Sequence, residues 1–459
     1  MKGRIGSMIQ RVFQVGYLAD GGGEFRSDCE IYIKDGLIGA ILDAADHTTA
    51  SQIVRREFAG AERIELADGF LLPGLINSHH HAYSALARGI TVKEALPDFP
   101  AILERLWWQL DEILDAETVR LSALVTALES VRHGCTTIFD HHSSPRAISG
   151  SLDVIAEAFE TFHLSAVLCY ETSDRNGANA LDQAIEENLR FCEVAKKSER
   201  MRGMFGLHAS FTLGDESLKR IAREKPATIP IHVHVAEDQA DVRDAKSRGY
   251  GGPLLRLKEF GLLDEHSLIV HGVHLSESEL ALAERIGLRI AHNTESNCNN
   301  RVGYSDPGRF RHSRVLLGTD GMSSNLLASL RSAFLLYAGL GGGNTDRTEL
   351  AEAMLFHNPT RYASDLFGRE MGLVRVGDPA DFAIFPYAAP TPITAENWTS
   401  HVLYGLSGNV PASYVYANGR AIIENGVCTV IDEFALMAEA RDAAARLWKK
   451  FESHTRAAR

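Results

Sequence analysis

Three adjacent histidines, His79-His80-His81, close an apolar run that begins Leu71-Leu72-Pro73-Gly74-Leu75-Ile76. In an extended strand, side chains two apart share a face, so His79 and His81 point together and His80 points away. Two imidazoles converging at a strand end can hold a divalent metal ion. Taken alone, the pair is equally consistent with histidines that only satisfy hydrogen bonds. Further ionisable groups follow downstream: Asp140-His141-His142, His208, His234 with Glu237, His271, His292-Asn293 and Asp320. That set is the chemistry of metal-assisted hydrolysis if one scaffold brings it together.

Residues 71–370 offer such a scaffold, because strand-like and helix-like segments alternate along them. The strand candidates are Leu71–Ile76, Thr136–Asp140, Ser165–Tyr170, Gly203–His208, Ile229–Val235, Ser267–Val270, Arg289–Ala291 and Val315–Gly318. Apolar residues at helical spacing mark Thr118–Arg132, Leu152–Phe162, Ala180–Ala195, Asp215–Arg223, Gly252–Phe260 and Ser276–Ile286 between them. Eight strands with intervening helices fit an α/β fold of the (β/α)8 TIM-like barrel type better than an open sheet. In such a barrel the chemistry sits at the C-terminal strand ends. Polar, mostly ionisable residues close seven of the eight candidates, a bias that surface polarity alone would not produce. No Gly-x-Gly-x-x-Gly or Walker-type loop follows any of them, which disfavours a nucleotide-cofactor fold.

Residues 1–70 read as short β-like runs over Met8–Tyr17, Cys29–Ile33 and Leu37–Leu42, the last two joined by the turn Lys34-Asp35-Gly36. The texture returns in 371–431, at Phe382–Pro386 and on either side of Asn418-Gly419. Each segment is too small for its own core, so a single small β-sandwich composed of both is expected. Residues 432–459 add a C-terminal helix with Phe434, Met437, Arg441, Ala444, Trp448 and Phe451 at near-helical spacing, expected to pack within the chain.

Composition narrows the partners. The chain has 459 residues, 47 Lys+Arg against 60 Asp+Glu, and a net charge of -13. An acidic balance disfavours a nucleic-acid polymer, whose phosphates need a basic surface, and leaves a small-molecule substrate. Six scattered cysteines without a C-x-x-C pair argue against a disulfide scaffold and for a reducing, cytoplasmic setting. No apolar run is long enough for a membrane helix. Arg11 interrupts the first apolar stretch, so no secretory leader is read there, and Met8 is an alternative start.

With these residues in view, the sequence resembles a known family. PGLINSHHH, IHVHVAE, LIVHGVHL, AHNTESNCNNRVG and LLGTDGMSSN together look like the amidohydrolase superfamily, in its aminohydrolase and chlorohydrolase branch; GDPADFAIF is similar to that branch's returning β-domain. LWWQLDEILDAET, GCTTIFDHHSSP and CYETSDRNG bring the likeness closest to the SsnA-like aminohydrolases. The resemblance covers nearly the whole chain. It implies one divalent metal ion, usually zinc, and hydrolytic removal of a substituent from a heterocycle. It also implies His79, His81, His234 and Asp320 as metal ligands, a set that suits zinc and equally iron(II) or manganese. His232 does not fit the H-x-x-E pattern that His234 forms with Glu237, and reads as a buried neighbour. No lysine stands where a bridged two-metal site would need one.

The implied chemistry is metal-hydroxide attack on a ring carbon with release of ammonia. Asp320 would take the hydroxide's proton, Glu237 would protonate a ring nitrogen and then the leaving group, and His271 would hydrogen-bond the developing oxygen. Substrate contacts are expected from His208, Gln109, Asp111, Arg175 and Asn297. Trp107 and Trp108 read as helix core ahead of a stacking pair. His141 and His142 have no assigned duty. Adenosine-type deaminases of this branch carry an arginine near the third strand end, where this chain has Tyr170-Glu171; that departure argues against a bulky adenosyl substrate. The leading expectation is a metal-dependent aminohydrolase acting on a purine, pterin, pyrimidine or triazine. A chlorohydrolase or other carbon–nitrogen hydrolase on the same scaffold is the alternative, and a non-catalytic scaffold subunit a third. Homo-oligomerisation is an expectation from the family.

Overall fold

The computed structural model describes residues 10–310, 314–340 and 346–457. Met8, with the first two residues of the run expected over Met8–Tyr17, lies outside them.

The chain opens with β1 (Gln10–Ala19), β2 (Phe25–Lys34), β3 (Leu37–Asp43) and β4 (Glu62–Pro73). It then enters a run of parallel strands: β5 (Leu75–His80), β6 (Cys135–His142), β7 (Ser165–Tyr170), β8 (Met201–Gly203), β9 (Phe205–Ala209), β10 (Ile231–Val235), β11 (Leu268–His271), β12 (Arg289–His292) and β13 (Val315–Leu317). The stretch expected as one strand from Leu71 to Ile76 is thus two, split at Gly74. A side chain at Gly74 would collide with Asp381 and Thr136, so only glycine lets the chain cross from one sheet to the other here.

β5 to β8 pair in sequence, as do β9 to β13, and every register is parallel. Two bridges join these sheets at both edges, His80 to Asp320 and Thr172 to Leu207. Across the first junction the Asp320 N–H donates to the His79 carbonyl at 3.0 Å; across the second the His208 N–H donates to the Thr172 carbonyl at 3.0 Å. The strands therefore ring a common axis, with Phe139, Val167, Cys169, Met204, Val270 and Leu316 in one buried cluster and helices outside. The helices fall where apolar periodicity places them, as at Ala116–Arg132, whose Asp115 and Thr118 form a capping box.

After the barrel, β14 (Phe382–Pro386), β15 (Tyr414–Ala417), β16 (Arg420–Glu424) and β17 (Val427–Cys428) pair back onto the N-terminal strands. The order is β17-β16-β15-β14-β4-β1-β2-β3, with β14 antiparallel to β4. This eight-stranded layer curls over its own core. Phe13 of β1 packs edge-on against Phe382 and Tyr416 at 5.8 Å, although β4 lies between β1 and β14.

The final helix spans Glu433–Ala457 and lies on the helix Ala116–Arg132. Its buried face is Leu436, Ala440, Ala443, Leu447 and Phe451. Phe434 is 91% exposed and Met437 is at the surface, so the stripe expected through those residues is rotated. The alanines at 440 and 443 allow closer helix approach than the larger residues would. Among the described residues no helix is long and apolar enough to cross a membrane.

Candidate active site

Strand alternation turns His79 and His81 toward the barrel axis and His80 away. His80 is nevertheless buried, with its Nε2 3.2 Å from Ser324 Oγ and its Nδ1 3.8 Å from Asp140. A barrel strand is covered on both faces, so facing away from the axis is not facing solvent. Gly318 lets β13 come close to β5: a Cβ there would fall inside contact distance of Asn293 Oδ1 and 3.0 Å from His79 Cβ.

Three further groups enter through left-handed backbone turns immediately after strands. Ala236 (φ +50°) redirects the chain after β10 so that Glu237 returns over the axis; His271 (φ +69°) ends β11; Asp320 (φ +54°) follows β13. Such a conformation costs a non-glycine residue roughly 1–3 kcal/mol and persists only where surrounding contacts over-determine it. Here those contacts include the Asp320 N–H on the His79 carbonyl and the Gly272 N–H on the Val235 carbonyl, both at 3.0 Å.

The four implied ligands meet at one point. His81 Nε2 lies 3.2 Å from His234 Nε2 and 3.1 Å from Asp320 Oδ1, and His79 Nε2 lies 3.5 Å from the same oxygen. A tetrahedral ion with ~2.0–2.1 Å bonds separates its ligands by roughly 3.3 Å, so the cluster has the size of a zinc site. The tautomers agree. His81 Nδ1 donates to the His141 carbonyl at 2.6 Å and His234 Nδ1 to the His208 carbonyl at 2.8 Å. A carbonyl can only accept, so Nδ1 carries a proton in both, and the two facing Nε2 atoms can approach this closely only with a metal ion or a proton between them. His79 Nε2 is buried without a hydrogen-bond partner, while its Nδ1 is held 2.9 Å from His232 Nε2. Burial opposes protonation of His81, yet the Asp320 carboxylate carries it up to about 9; the same burial keeps His79 and His234 well below the usual histidine range. The residues present fit a divalent metal ion.

Glu237 and His271 stand beside this cluster. His271 Nε2 is 3.4 Å from Glu237 Oε2 and 3.8 Å from Asp320 Oδ2, and its Nδ1 is fixed 2.7 Å from Asn297 Oδ1. Burial, and after it the negative charge of Asp320, drives the Glu237 carboxyl well above the ordinary carboxylate range. Burial lowers His271. Ser296 donates to Asp320 Oδ2. A carboxyl raised by burial, a neutral imidazole and an ionised carboxylate around a metal cradle can protonate, orient and deprotonate a reacting group.

A cavity opens above these groups, with Tyr83, Phe99, Trp107 and Trp108 in its walls. His208 and Asp111 line it, as expected of substrate contacts. Gln109, Arg175 and Asn297 do not. The Gln109 amide donates to the Glu104 carbonyl at 3.1 Å, Arg175 spans Asp111 and Glu171 behind the wall, and Asn297 faces His271. Glu171 was missed: it lines the cavity, 3.3 Å from His208 Nε2 and 3.4 Å from His141 Nδ1. It follows the end of β7 directly, and the strand-end pattern that marks its neighbours would have found it. Trp107 and Trp108 are wall rather than helix core. Their segment has helical spacing but loops over the barrel mouth, which periodicity cannot distinguish. His142 sits apart, its Nε2 2.8 Å from Ser144 Oγ.

Residues 70–422 match the model of the family described as the Amidohydrolase family. The chain is 28% identical over 399 residues to a 5'-deoxyadenosine deaminase of Methanopyrus kandleri, covering 84% of this chain and 89% of that one. In structure it is similar to a zinc-bound adenosine deaminase of Xanthomonas campestris, with a TM-score of 0.79, 22% identity and coverage of 96% and 98%. It is also similar to a zinc-complexed atrazine chlorohydrolase of Arthrobacter aurescens, with a TM-score of 0.77, 19% identity and coverage of 95% and 100%.

Proposed function

The chain belongs to the amidohydrolase family, and from that premise we propose that it is a metal-dependent hydrolytic deaminase of an aminated heterocycle, releasing ammonia from a purine, pterin, pyrimidine or triazine ring. One observation carries the reading: Glu237, His271 and Asp320 converge on the His79–His81–His234 cradle at the floor of an aromatic-walled cavity. His79, His81, His234 and Asp320 would hold one divalent ion, zinc by preference. When bound, the ion lowers the pKa of water so that a hydrolytic nucleophile exists near neutral pH.

The side chains account for the rest. Asp320, held ionised by His79 and His81 although burial opposes it, accepts the nucleophile's proton. Glu237, its carboxyl raised by burial and by the charge of Asp320, gives a proton to a ring nitrogen as the attacked carbon turns tetrahedral, and later relays a proton to the departing ammonia. His271, neutral and fixed by Asn297, orients the developing oxygen. Trp107 and Trp108 offer flat surfaces to a planar ring.

The relatives named as deaminases support ammonia as the product. The pairing of β4 with β14 supports residues 1–70 and 371–431 as one composite β-sandwich beside a barrel at 71–370, with 432–459 as the C-terminal helix. Six free cysteines are consistent with a cytoplasmic setting, and a homo-oligomer follows the family. The test is ammonia release from a panel of amino-heterocycles by zinc-loaded protein, with a chlorinated triazine as the dechlorination arm. Chloride release without ammonia would reassign the reaction. No product from any ring, together with no retained divalent metal, would overturn it.

A further inference from the structure

The cavity's charge distribution bears on which ring enters it, an inference that rests on the deaminase reading. Four carboxylates line it, those of Asp111, Glu171, Glu237 and Asp320, and none of the described lining residues is lysine or arginine. Glu237 and Asp320 belong to the reacting centre. Asp111 and Glu171 share a different edge, because both accept from the same Arg175 nitrogen, at 3.4 and 3.0 Å. Arg175 is committed to these two carboxylates and lies over the Trp108 ring at 4.9 Å, behind the wall. Asp111 is 2% exposed. Its Oδ2 accepts from Ser143 at 3.1 Å and from Arg175, but its Oδ1 is buried with no partner at all.

A buried carboxylate oxygen without a donor is unfavourable, and on a side chain that lines a cavity a small shift lets what binds there satisfy it. We propose that Asp111, backed by Glu171, selects a ring carrying a second exocyclic amino group, distinct from the one removed, whose N–H donates to Asp111 Oδ1. An anionic substituent on that edge would meet two carboxylates with no lysine or arginine among the described lining residues to offset them, so carboxylated or phosphorylated rings are rejected. Burial pushes the Asp111 carboxyl up to about 7 against the pull of Arg175, as befits a carboxylate one donor short.

The test is calorimetric titration of zinc-loaded, full-length protein in the Glu237→Gln background, which slows turnover. The ligands form two minimal pairs, 2,6-diaminopurine with adenine and pterin with pterin-6-carboxylate. A charge-assisted hydrogen bond predicts that diaminopurine binds at least about tenfold tighter than adenine, and repulsion by the paired carboxylates predicts that pterin binds at least about tenfold tighter than its carboxylate. Asp111→Asn should shrink the first preference to within about threefold; the ligand pairs keep the test decisive if that variant does not fold. Equal binding of diaminopurine and adenine, a preference that survives Asp111→Asn, or failure of every ring to bind would overturn the inference. Ammonia release by the unsubstituted protein is measured in parallel. Release without the binding preference sinks this inference alone, and preference without release sinks the deaminase reading instead.

Discussion

Replacing Glu237 with glutamine isolates the proposed proton transfer from everything else in the site. Glutamine has the same length, and its carbonyl oxygen can keep the 3.4 Å contact with Asn300 Nδ2. It does not touch the ligand set, so metal content should stay at the wild-type level. What it lacks is a transferable proton. General acid–base help of this kind contributes ~10²–10⁴ in rate, or about 2.7–5.4 kcal/mol of barrier. Because Glu237 serves as both acid and relay, kcat should fall into that range while KM changes less than about fivefold. The pH profile gives a second readout. Burial, with Asp320 adding to it, raises the Glu237 carboxyl, so activity that needs its proton is lost as pH rises through the raised pKa. That alkaline limb should vanish in Glu237→Gln. Steady-state ammonia assays over pH, with metal analysis of each preparation, measure both. A variant with full metal and kcat within threefold of wild type would refute the assignment of this carboxyl.

Other perturbations reach the same site by different routes. Zinc should stabilise the metal-stripped protein against heat, by about 2.7 kcal/mol at a hundredfold excess over its dissociation constant, and His234→Ala should abolish that gain in scanning calorimetry. Gly318→Ala should drive a methyl group into Asn293 and toward His79, lowering zinc affinity in a chelator competition while the far-UV spectrum stays native. His232→Phe should remove the partner 2.9 Å from His79 Nδ1 and weaken zinc binding by about 10–100-fold, as loss of a ligand's outer hydrogen bond does; unchanged affinity would show that His79 needs no such support. Arg256 is fully buried and donates to the Ser210 and Leu213 carbonyls and to Asp215, so Arg256→Leu should lower unfolding free energy in denaturant by roughly 2–4 kcal/mol.

Much of this protein is legible along the chain. Strand alternation is a local rule with period two, so it separates His79 and His81 from His80 without knowledge of the fold. The alternation of apolar strand and helix patterns is equally local, and it implies a barrel whose strand ends gather the ionisable residues. The tertiary structure decided what lies between elements. Whether Gly74 ends one strand and starts another depends on Asp381 and Thr136, which are distant in sequence and adjacent in space. That His80 is buried and that Asn297 serves His271 are settled by neighbours on other elements, while Gln109 turns back to the Glu104 carbonyl of its own helical segment. Glu171 and the tryptophan wall belong to the same class. The left-handed turns at Ala236, His271 and Asp320 carry only a weak sequence mark, since none is glycine and alanine in particular rarely adopts them. They exist because the closed barrel fixes both ends of each turn, and it is this closure that makes His79, His81, His234 and Asp320 into one site.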